Sequence, residues 1–563
     1  MPMHAPAGTA PDDDAFGSSG RFGALKQFGL VVLCAMWVLL GTVGHDPWKA
    51  QDATTFGVAL EMLGRGDPLV PYLAGEPLVD NPPLVYLAAA GASVAMSPLL
   101  PRHDAARLAA ALILALTLLL LAATATELYG RAYAWMAVLL FVGSVGLWER
   151  VHQVSPELGL MLGIATALYG FALALRKPVA GGVMLGLGAG IGFLSAGLVA
   201  IVWTGVTAIA LPIAFSTWRT RNYALTAGVA LAVAVALGGS WPLALFVRAP
   251  GHLHAWWAEQ SLGDFLAPLD RAASGDATFL LKNLPWFAWP ALPLVLWTVW
   301  TRGRGFNGGL ATPGVQLPGM AALVISVAIL AMSGPRLPIL IPLLLPLSLL
   351  AALEIDTLKR GFSGALDWFG ILTFGLLSLL MWWLWFDAWA HGMPQAVARL
   401  FRDTEAGYQP SFHWPAFGLS LFLTLLWLAL VRPARRSNRR AVLNWAAGMT
   451  LLWALYSTIW LPYLDSRRSY RGVADSVLAV LPREGCVASR NLGDAQRALL
   501  QYFANLVTVR AENASIDRCN ALLVQYGRSD REPIAPDGWK ALWTGQRHGD
   551  DTERYILYLR TTP

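Results

Sequence analysis

Residues 45–87, HDPWKAQDATTFGVALEMLGRGDPLVPYLAGEPLVDNPPLVYL, decide the fold because they interrupt a chain dominated by apolar runs. The segment places acids, prolines and an amphipathic stretch directly after the first long apolar run, residues 27–44. Phe56, Leu60 and Leu63 share one stripe of a predicted helix, as expected when only one side of a helix is packed. This pattern predicts a folded loop that lies close to a membrane.

The composition is that of an integral membrane protein. Of 563 residues, 56% are hydrophobic and 13% are charged, whereas about 25% is usual for soluble domains. The 25 tryptophans are consistent with anchoring at the membrane interface. We attribute the net charge of +6 to basic cytoplasmic loops, and we expect no nucleic-acid partner.

Three cysteines are too few for a disulfide scaffold or a cysteine-based metal cluster. Cys34 lies in an apolar run, whereas Cys486 and Cys519 lie in the polar C-terminal region. The latter two residues could pair if that region faces an oxidising compartment. Two unpaired small residues explain the pattern equally well.

The predicted topology follows from apolar runs and basic loops. A helix needs about 20 mostly apolar residues to cross a bilayer, and short basic loops stay in the cytoplasm. Arg21 and Lys26 place the N-terminus in the cytoplasm, so an even number of the five runs before Arg176 must cross. The run 83–99 is short and flanked by prolines, so we predict that it lies at the membrane face, leaving about thirteen crossings. The fourteen runs are 27–44, 83–99, 106–124, 132–148, 157–175, 179–196, 198–215, 224–247, 285–300, 317–333, 336–353, 365–386, 415–431 and 441–461.

Three regions are predicted. Residues 1–26 read as a disordered cytoplasmic tail, and residues 27–462 as the membrane domain, with an external loop at 45–105. Residues 463–563 read as a small α/β domain outside the membrane. Its predicted strands are GCVAS, ALLVQY and RYILYLR, and its predicted helices are SYRGVADSVLAVL and DAQRALLQYF.

Acidic residues gather on the predicted external side. Asp46 and Asp52 follow the first run, and Asp52 fits either an N-cap or a catalytic carboxylate. The segment WERVHQVSPELGL carries Glu149, Arg150 and His152, and Glu157 opens the next apolar run. A carboxylate beside hydrocarbon is costly and usually functional, although the helix dipole also favours an acid at a helix start.

Five segments resemble bacterial lipid-linked-sugar glycosyltransferases of the GT-C class, which include aminoarabinose transferases acting on lipid A and protein O-mannosyltransferase-like enzymes. The resemblance implies an α-helical polytopic GT-C fold in the bacterial inner membrane, with the active site and C-terminal domain facing the periplasm. It also implies a polyprenyl-phosphate-linked sugar donor and a lipid, glycan or protein acceptor. The segments are QDATTFGVALEMLGRGDPLVPYLAGEPLVDNPPLVY, HQVSPELGLMLGIATALYG, GIGFLSAGL, LKNLPWFAWPALPL and GPRLPILIPLLLPLSLLAA.

The resemblance also implies site residues. Asp52 takes the position of a catalytic carboxylate, with Asp46 as an alternative, and Glu157 fills the acidic position of the second external loop. This sequence departs from the family where Gln51 replaces the first acid of a pair and Ala196 replaces a lysine. The candidates for binding the donor phosphate or the substrate are Asp80, Asn81 (where the family usually has lysine), Arg150, His152 and Arg336.

Other polar groups have weaker functional interpretations. His252 and His254 could bind a divalent metal ion with Glu259 or Asp264, but their spacing matches no strong motif. No cofactor is certain. Lys282 and Arg271 are typical of residues that extend to the membrane interface, and the NAS sequon at 513–515 is a frequent chance match.

Two other functions are compatible with parts of the sequence. A diverged, non-catalytic relative that binds lipid-linked sugar would explain the missing acid and lysines. A transporter is less well supported, because transporters place charged residues or broken helices near the bilayer midplane, whereas these acids cluster at one face.

Overall fold

The computed structural model describes residues 21–261, 278–332, 334–392, 410–432, 437–482, 485–513, 515–548, 550 and 552–561. The first helix begins at Arg21, so the end of the predicted tail 1–26 is helical, and residues 1–20 lie outside the described ranges. Each of the fourteen predicted apolar runs contains a helix.

The helices of the membrane region follow the apolar runs closely. Short 3-10 turns connect several of them, among them Val145–Leu147, Glu149–His152 and Leu337–Leu340, and a π turn covers Trp256–Ser261. The helices are α1 (Arg21–Leu39), α2 (Gln51–Arg65), α3 (Leu84–Met96), α4 (Arg102–Tyr129), α5 (Arg131–Val142), α6 (Pro156–Ala174), α7 (Pro178–Ala196), α8 (Leu198–Ala214), α9 (Arg221–Gly238), α10 (Ser240–Arg248), α11 (Pro250–Ala255), α12 (Phe279–Phe287), α13 (Ala291–Gly303), α14 (Pro313–Ala331), α15 (Leu344–Leu353), α16 (Arg360–His391), α17 (Trp414–Val431) and α18 (Asn438–Tyr456).

The structure confirms a polytopic helical fold. Among the described residues, seven helices are long and apolar enough to cross a membrane, and two bent helix pairs could each add one. Five shorter apolar helices accompany them, including Leu84–Met96. At about 1.5 Å per residue, this 13-residue helix is too short for a hydrocarbon core of about 30 Å. The total of thirteen crossings stays a prediction.

Glycines let the central membrane helices approach closely. A Cβ atom at Gly163 of α6 would lie 2.6 Å from the backbone nitrogen of Gly192 in α7. On the other side of α7, a Cβ at Gly182 would lie 2.7 Å from the carbonyl oxygen of Thr226 in α9. Small residues at such contacts are typical of membrane helix packing, because they increase van der Waals contact between backbones.

The loop that the sequence predicts to be external contains a compact unit of α2, a two-stranded hairpin and α3. The hairpin pairs β1 (Tyr72–Leu73) with β2 (Glu76–Pro77). Gly66 caps α2 in the left-handed conformation. The predicted apolar stripe of α2 is partly wrong, because Phe56 is buried but Leu63 is 39% exposed. The helix is buried on more than one side, because Phe56 and Ala59 pack in the core of the membrane region and Ala53 packs in the core of the C-terminal domain.

The C-terminal region is the predicted small α/β domain. Its sheet has the order β4-β3-β5-β7-β6, in which β3 runs parallel to β4 and β5, and β7 runs antiparallel to β5 and β6. Cys486 and Cys519 form a disulfide between β3 and β5. The elements are α19 (Leu461–Arg468), α20 (Arg471–Val480), β3 (Cys486–Arg490), α21 (Asp494–Ala504), β4 (Thr508–Arg510), β5 (Cys519–Gly527), β6 (Trp539–Gln546) and β7 (Glu553–Arg560).

This domain is docked on the first external loop. Gln501 in α21 donates a hydrogen bond of 2.7 Å to Glu61 of α2, and Arg497 donates one of 3.0 Å to Glu76 of the hairpin. Lys49 forms an ion pair with Glu553 of β7. The loop that carries the predicted site is therefore fixed on one side by the membrane helices and on the other by the C-terminal domain.

Candidate functional site

Glu157 occupies the first turn of α6, directly after Pro156. Its Oε1 accepts a hydrogen bond of 2.7 Å from Nε2 of Gln51, the first residue of α2. Its Oε2 is buried and has no hydrogen-bond partner among the described residues. Because a buried carboxylate oxygen without a partner is unfavourable, this oxygen marks a position where a substrate group could bind.

Several predicted binding residues lie around this carboxylate. Arg336, which precedes the turn Leu337–Leu340, is exposed and interacts electrostatically with Glu157. Tyr86 of α3 is buried, forms a hydrogen bond with Asn81, and interacts electrostatically with both Asp80 and Glu157. The structure thus links Glu157 electrostatically to Arg336 and, through Tyr86, to Asp80 and Asn81, although these residues come from three separate parts of the chain.

Asp52 is buried beside this group and is held by three hydrogen bonds. Its Oδ2 accepts from Arg107 Nε at 3.0 Å and from the Trp48 N–H at 3.4 Å, and its Oδ1 accepts from the Val154 N–H at 3.4 Å. The N-cap of α2 is Ala50, so Asp52 does not cap the helix. Instead, Asp52 joins the start of α2 to α4 and to the segment that leads into α6. Its catalytic role stays a prediction.

Arg107, in the first turns of α4, forms several buried hydrogen bonds. Besides Asp52, it donates a hydrogen bond of 2.6 Å to Asp104 and one of 2.8 Å to the carbonyl of His45. Burial, followed by the positive charge of Arg107, lowers the pKa of His45 well below its usual value, so His45 is neutral at pH 7. The sequence analysis missed Arg107, although a charge inside the apolar run 106–124 could have revealed it.

Asp46 belongs to the interface with the C-terminal region. Its carboxylate accepts hydrogen bonds from Arg471 Nη2 at 2.6 Å and from Ser469 Oγ at 2.6 Å. Burial alone would raise the pKa of Asp46, but the hydrogen bonds from Arg471 and Ser469 outweigh it and hold the pKa below its usual value. These contacts group Asp46 with the docking surface, where it stays an untested alternative to Asp52.

Arg150 and His152 lie in the turn Glu149–His152, which precedes α6. Arg150 donates to the carbonyl of Gly146 at 3.3 Å and faces the rings of Trp286 and Phe287. His152 stacks on Trp453, and its ring nitrogens lie 2.6 Å and 3.0 Å from main-chain carbonyls. Burial lowers the pKa of His152 to about 4. A neutral imidazole has one N–H, so His152 donates to one of these two carbonyls and lies against the other, and in this conformation it supports the helix ends.

Glu149, in the turn before α6, forms hydrogen bonds with the end of α18 and with α19. It accepts hydrogen bonds from Arg468 at 2.6 Å, from Tyr456 at 2.8 Å and from Gln153 at 2.7 Å. The guanidinium group of Arg468 also lies 4.5 Å from the centre of the Trp48 ring. Glu149 therefore connects the second external loop to the start of the C-terminal domain.

The weaker candidates form no site in the described ranges. His252 and His254 lie on α11, the side chain of Glu259 is not described, and Asp264 and Arg271 fall outside the described residues. Within those ranges, no group of three or more His, Cys, Asp and Glu side chains could hold a metal ion. Lys282 is exposed on α12, and the sequon 513–515 is only partly described.

The helix arrangement and the position of the carboxylate define the class: this is a multi-pass membrane protein with the GT-C fold. A crystal structure of ArnT from Cupriavidus metallidurans bound to undecaprenyl phosphate superposes with a TM-score of 0.69 at 15% identity, covering 96% of this chain and 98% of that one. An archaeal oligosaccharyltransferase, AglB from Archaeoglobus fulgidus, has a TM-score of 0.51 at 11% identity, covering 90% and 70%. These matches confirm the fold.

Sequence comparisons point to the same group. The family model for dolichyl-phosphate-mannose-protein mannosyltransferase matches residues 80–241. An undecaprenyl phosphate-alpha-4-amino-4-deoxy-L-arabinose arabinosyl transferase of Pseudomonas fluorescens is 25% identical over 62% of this chain, and one of Pectobacterium atrosepticum is 27% identical over 50%. The matches span 64% and 51% of these relatives' own lengths. The chain is thus similar in sequence to these arabinosyl transferases and to the protein-mannosyltransferase model, as the sequence resemblance predicts.

Proposed function

We propose that this protein transfers a sugar from a polyprenyl-phosphate donor to an acceptor outside the cytoplasm, such as lipid A, another envelope glycan or a protein. The observation that carries the proposal is the Glu157 carboxylate, in which Oε1 accepts a hydrogen bond from Gln51, Oε2 has no hydrogen-bond partner among the described residues, and Arg336 acts electrostatically on the group. The names of the arabinosyl transferase relatives support an undecaprenyl-phosphate-linked donor.

In this proposal, Glu157 accepts the proton of the acceptor nucleophile. A bond forms between the acceptor atom and the anomeric carbon of the sugar, and the bond between that carbon and the phosphate oxygen breaks. The proton passes to Oε2 of Glu157, which is the oxygen without a protein partner. The polyprenyl phosphate leaves with additional negative charge, which Arg336 offsets.

Because of the departures from the family pattern, few residues remain that could balance the charge of the donor phosphate. Asn81 and Ala196 stand where relatives of this type usually have lysine, so neither side chain contributes a positive charge. Arg336 is exposed and acts electrostatically on Glu157, and its exposure leaves it accessible to a phosphate from the membrane interface. Asp52 contributes indirectly, because its contacts with Arg107 and Val154 join the two segments that carry Gln51 and Glu157.

We place the site and the C-terminal domain on the periplasmic side of the bacterial inner membrane. The disulfide between Cys486 and Cys519 supports this orientation, because disulfides persist in oxidising compartments. Arg21 and Lys26 at the start of α1, and the basic residues in the short loops from Arg176 onward, support it as well, since such residues favour the cytoplasm.

The experiment is mass spectrometry of envelope lipids, glycans and glycoproteins from cells with the gene intact, deleted and restored. The proposal expects one sugar mass to disappear from one acceptor class on deletion and to return on restoration. An unchanged envelope, with the protein expressed and the acceptors detected, would contradict it and favour a non-catalytic relative that binds lipid-linked sugar.

A further inference from the structure

We propose that Gln51 is a positioning residue that holds Glu157 in its working orientation and makes this a site with a single ionisable carboxylate at the reacting position. The proposal rests on the transfer reaction proposed above. Its starting point is the hydrogen bond of 2.7 Å from Gln51 Nε2 to Glu157 Oε1, which joins residues 106 positions apart in the chain. The resemblance to GT-C enzymes places an acid at position 51, so this arrangement departs from the usual pattern of those enzymes.

The backbone on both sides of this hydrogen bond is fixed. Gln51 is the first residue of α2, and its neighbour Asp52 is buried and anchored to Arg107 of α4. The other oxygen of Asp52 accepts from the Val154 N–H, three residues before Glu157. Because Asp52 ties together the two segments, the amide of Gln51 meets Glu157 at a set distance. A hydrogen bond between fixed segments can orient a side chain for catalysis.

The choice of an amide has a chemical consequence. An amide N–H can donate to a carboxylate in its charged form, and it adds no second negative charge. A carboxylate at position 51 would stand within hydrogen-bond distance of Glu157, and two such groups share one proton because like charges oppose ionisation. The charged and titratable groups that interact with Glu157 are Arg336 from the segment before Leu337 and Tyr86 from α3, and Asp80 acts on the same tyrosine.

The test uses purified full-length protein and lipid-linked sugars extracted from the envelope of the gene's own host. Gln51→Glu is expected to move the acid limb of the pH–rate profile upward by about 1 unit or more, because a shared proton holds Glu157 protonated to higher pH. Gln51→Met, which keeps the size but loses the donor, is expected to lower kcat about tenfold to hundredfold with little change in the donor KM.

The chain provides a matched control. Gln501 donates to Glu61 at the same distance, 2.7 Å, but at the far end of α2 and away from Glu157. Gln501→Glu should leave the acid limb in place. If the acid limb of the pH–rate profile does not move in Gln51→Glu, this inference is overturned while the proposed function stands. The same holds if the loss of kcat in Gln51→Met is explained by a lower Tm. If wild-type protein transfers no sugar, the proposed function fails and this inference fails with it.

Discussion

At the residue scale, two buried carboxylates have different surroundings. Asp52 is paired with Arg107 and accepts two backbone N–H groups, whereas Glu157 interacts with the neutral side chains of Gln51 and Ser155, and its Oε2 has no partner within hydrogen-bond distance among the described residues. Removing one partner of a buried ion pair costs up to about 3–5 kcal/mol when the other charge is left uncompensated. The cost for Asp52 should be lower than this, because Arg107 keeps its ion pair with Asp104. The two acids should therefore respond differently to neutralisation.

Asp52→Asn is expected to lower the thermal stability of the detergent-solubilised protein clearly, whereas Glu157→Gln should leave it close to wild type. The reason is that only Asp52 balances a buried arginine. Thermal unfolding of both variants at equal concentration measures the difference. A fully stable Asp52→Asn protein without activity would contradict this account and return Asp52 to a directly catalytic role.

The sequence predicted individual residues of the candidate site but not how they are arranged relative to one another. Glu157 drew attention as an acid at the start of an apolar run, and Arg336 as a cation at the end of another. Their proximity and the hydrogen bond from Gln51 depend on tertiary packing between distant segments, which local patterns do not contain. His152 shows the converse, because a polar residue in a promising loop turned out to support the helix ends.

At the scale of elements, α2 meets the C-terminal domain through a glycine. A Cβ atom at Gly57 would lie 2.6 Å from Ala498 Cβ and 2.7 Å from Leu73, whereas a Cβ at Gly64 would meet nothing within 4 Å. Gly57→Ala is expected to destabilise the protein by about 1–3 kcal/mol through overpacking. Gly64→Ala on the same helix should be neutral or slightly stabilising. Equal unfolding curves for both variants would show that α2 and α21 are not in close contact.

The stability of the contact between Asp46 and the C-terminal region, formed with Ser469 and Arg471, should depend on pH. Because the pKa of Asp46 lies below its usual value of 3.8, its contribution is present above about pH 4 and is lost as the pH falls through the lowered value. The expected contribution is about 0.2–1 kcal/mol, since Arg471 is half exposed. The free energy of unfolding is measured at pH 7 and at pH 3 for wild type and for Asp46→Asn. Between these pH values, Asp46→Asn should lose less stability than wild type. The control is Asp475→Asn, an exposed acid on the helix of Arg471; equal losses in all three proteins would contradict this assignment.

Elements were predicted well where the hydrophobic pattern is long. All fourteen apolar runs contain helices, and β3, β5 and β7 coincide with predicted strands. The predictions missed β4, which has only three residues, and β6, an edge strand whose side chains are mostly exposed. An edge strand buries little, so its sequence carries a weak pattern.

At the scale of the whole molecule, the disulfide tests the proposed orientation. Cys486 and Cys519 are paired, and Cys34 is free within α1. Alkylation of denatured, unreduced protein from cells should label Cys34 alone, and reduction should expose the other two thiols. Cys486→Ser should lower the stability of the C-terminal domain by about 2–4 kcal/mol. Labelling of all three cysteines before reduction would place that domain in a reducing compartment and contradict the orientation.

The central claim is that Glu157 carries out sugar transfer, and one measurement tests it most directly. Purified wild-type and Glu157→Gln proteins are compared, at equal amount and equal Tm, for the initial rate of transfer from host lipid-linked sugar to the acceptor identified in the envelope. The account predicts a rate at least about 100-fold lower for Glu157→Gln, because the variant cannot accept the proton of the nucleophile. A rate within a few fold of wild type would contradict it.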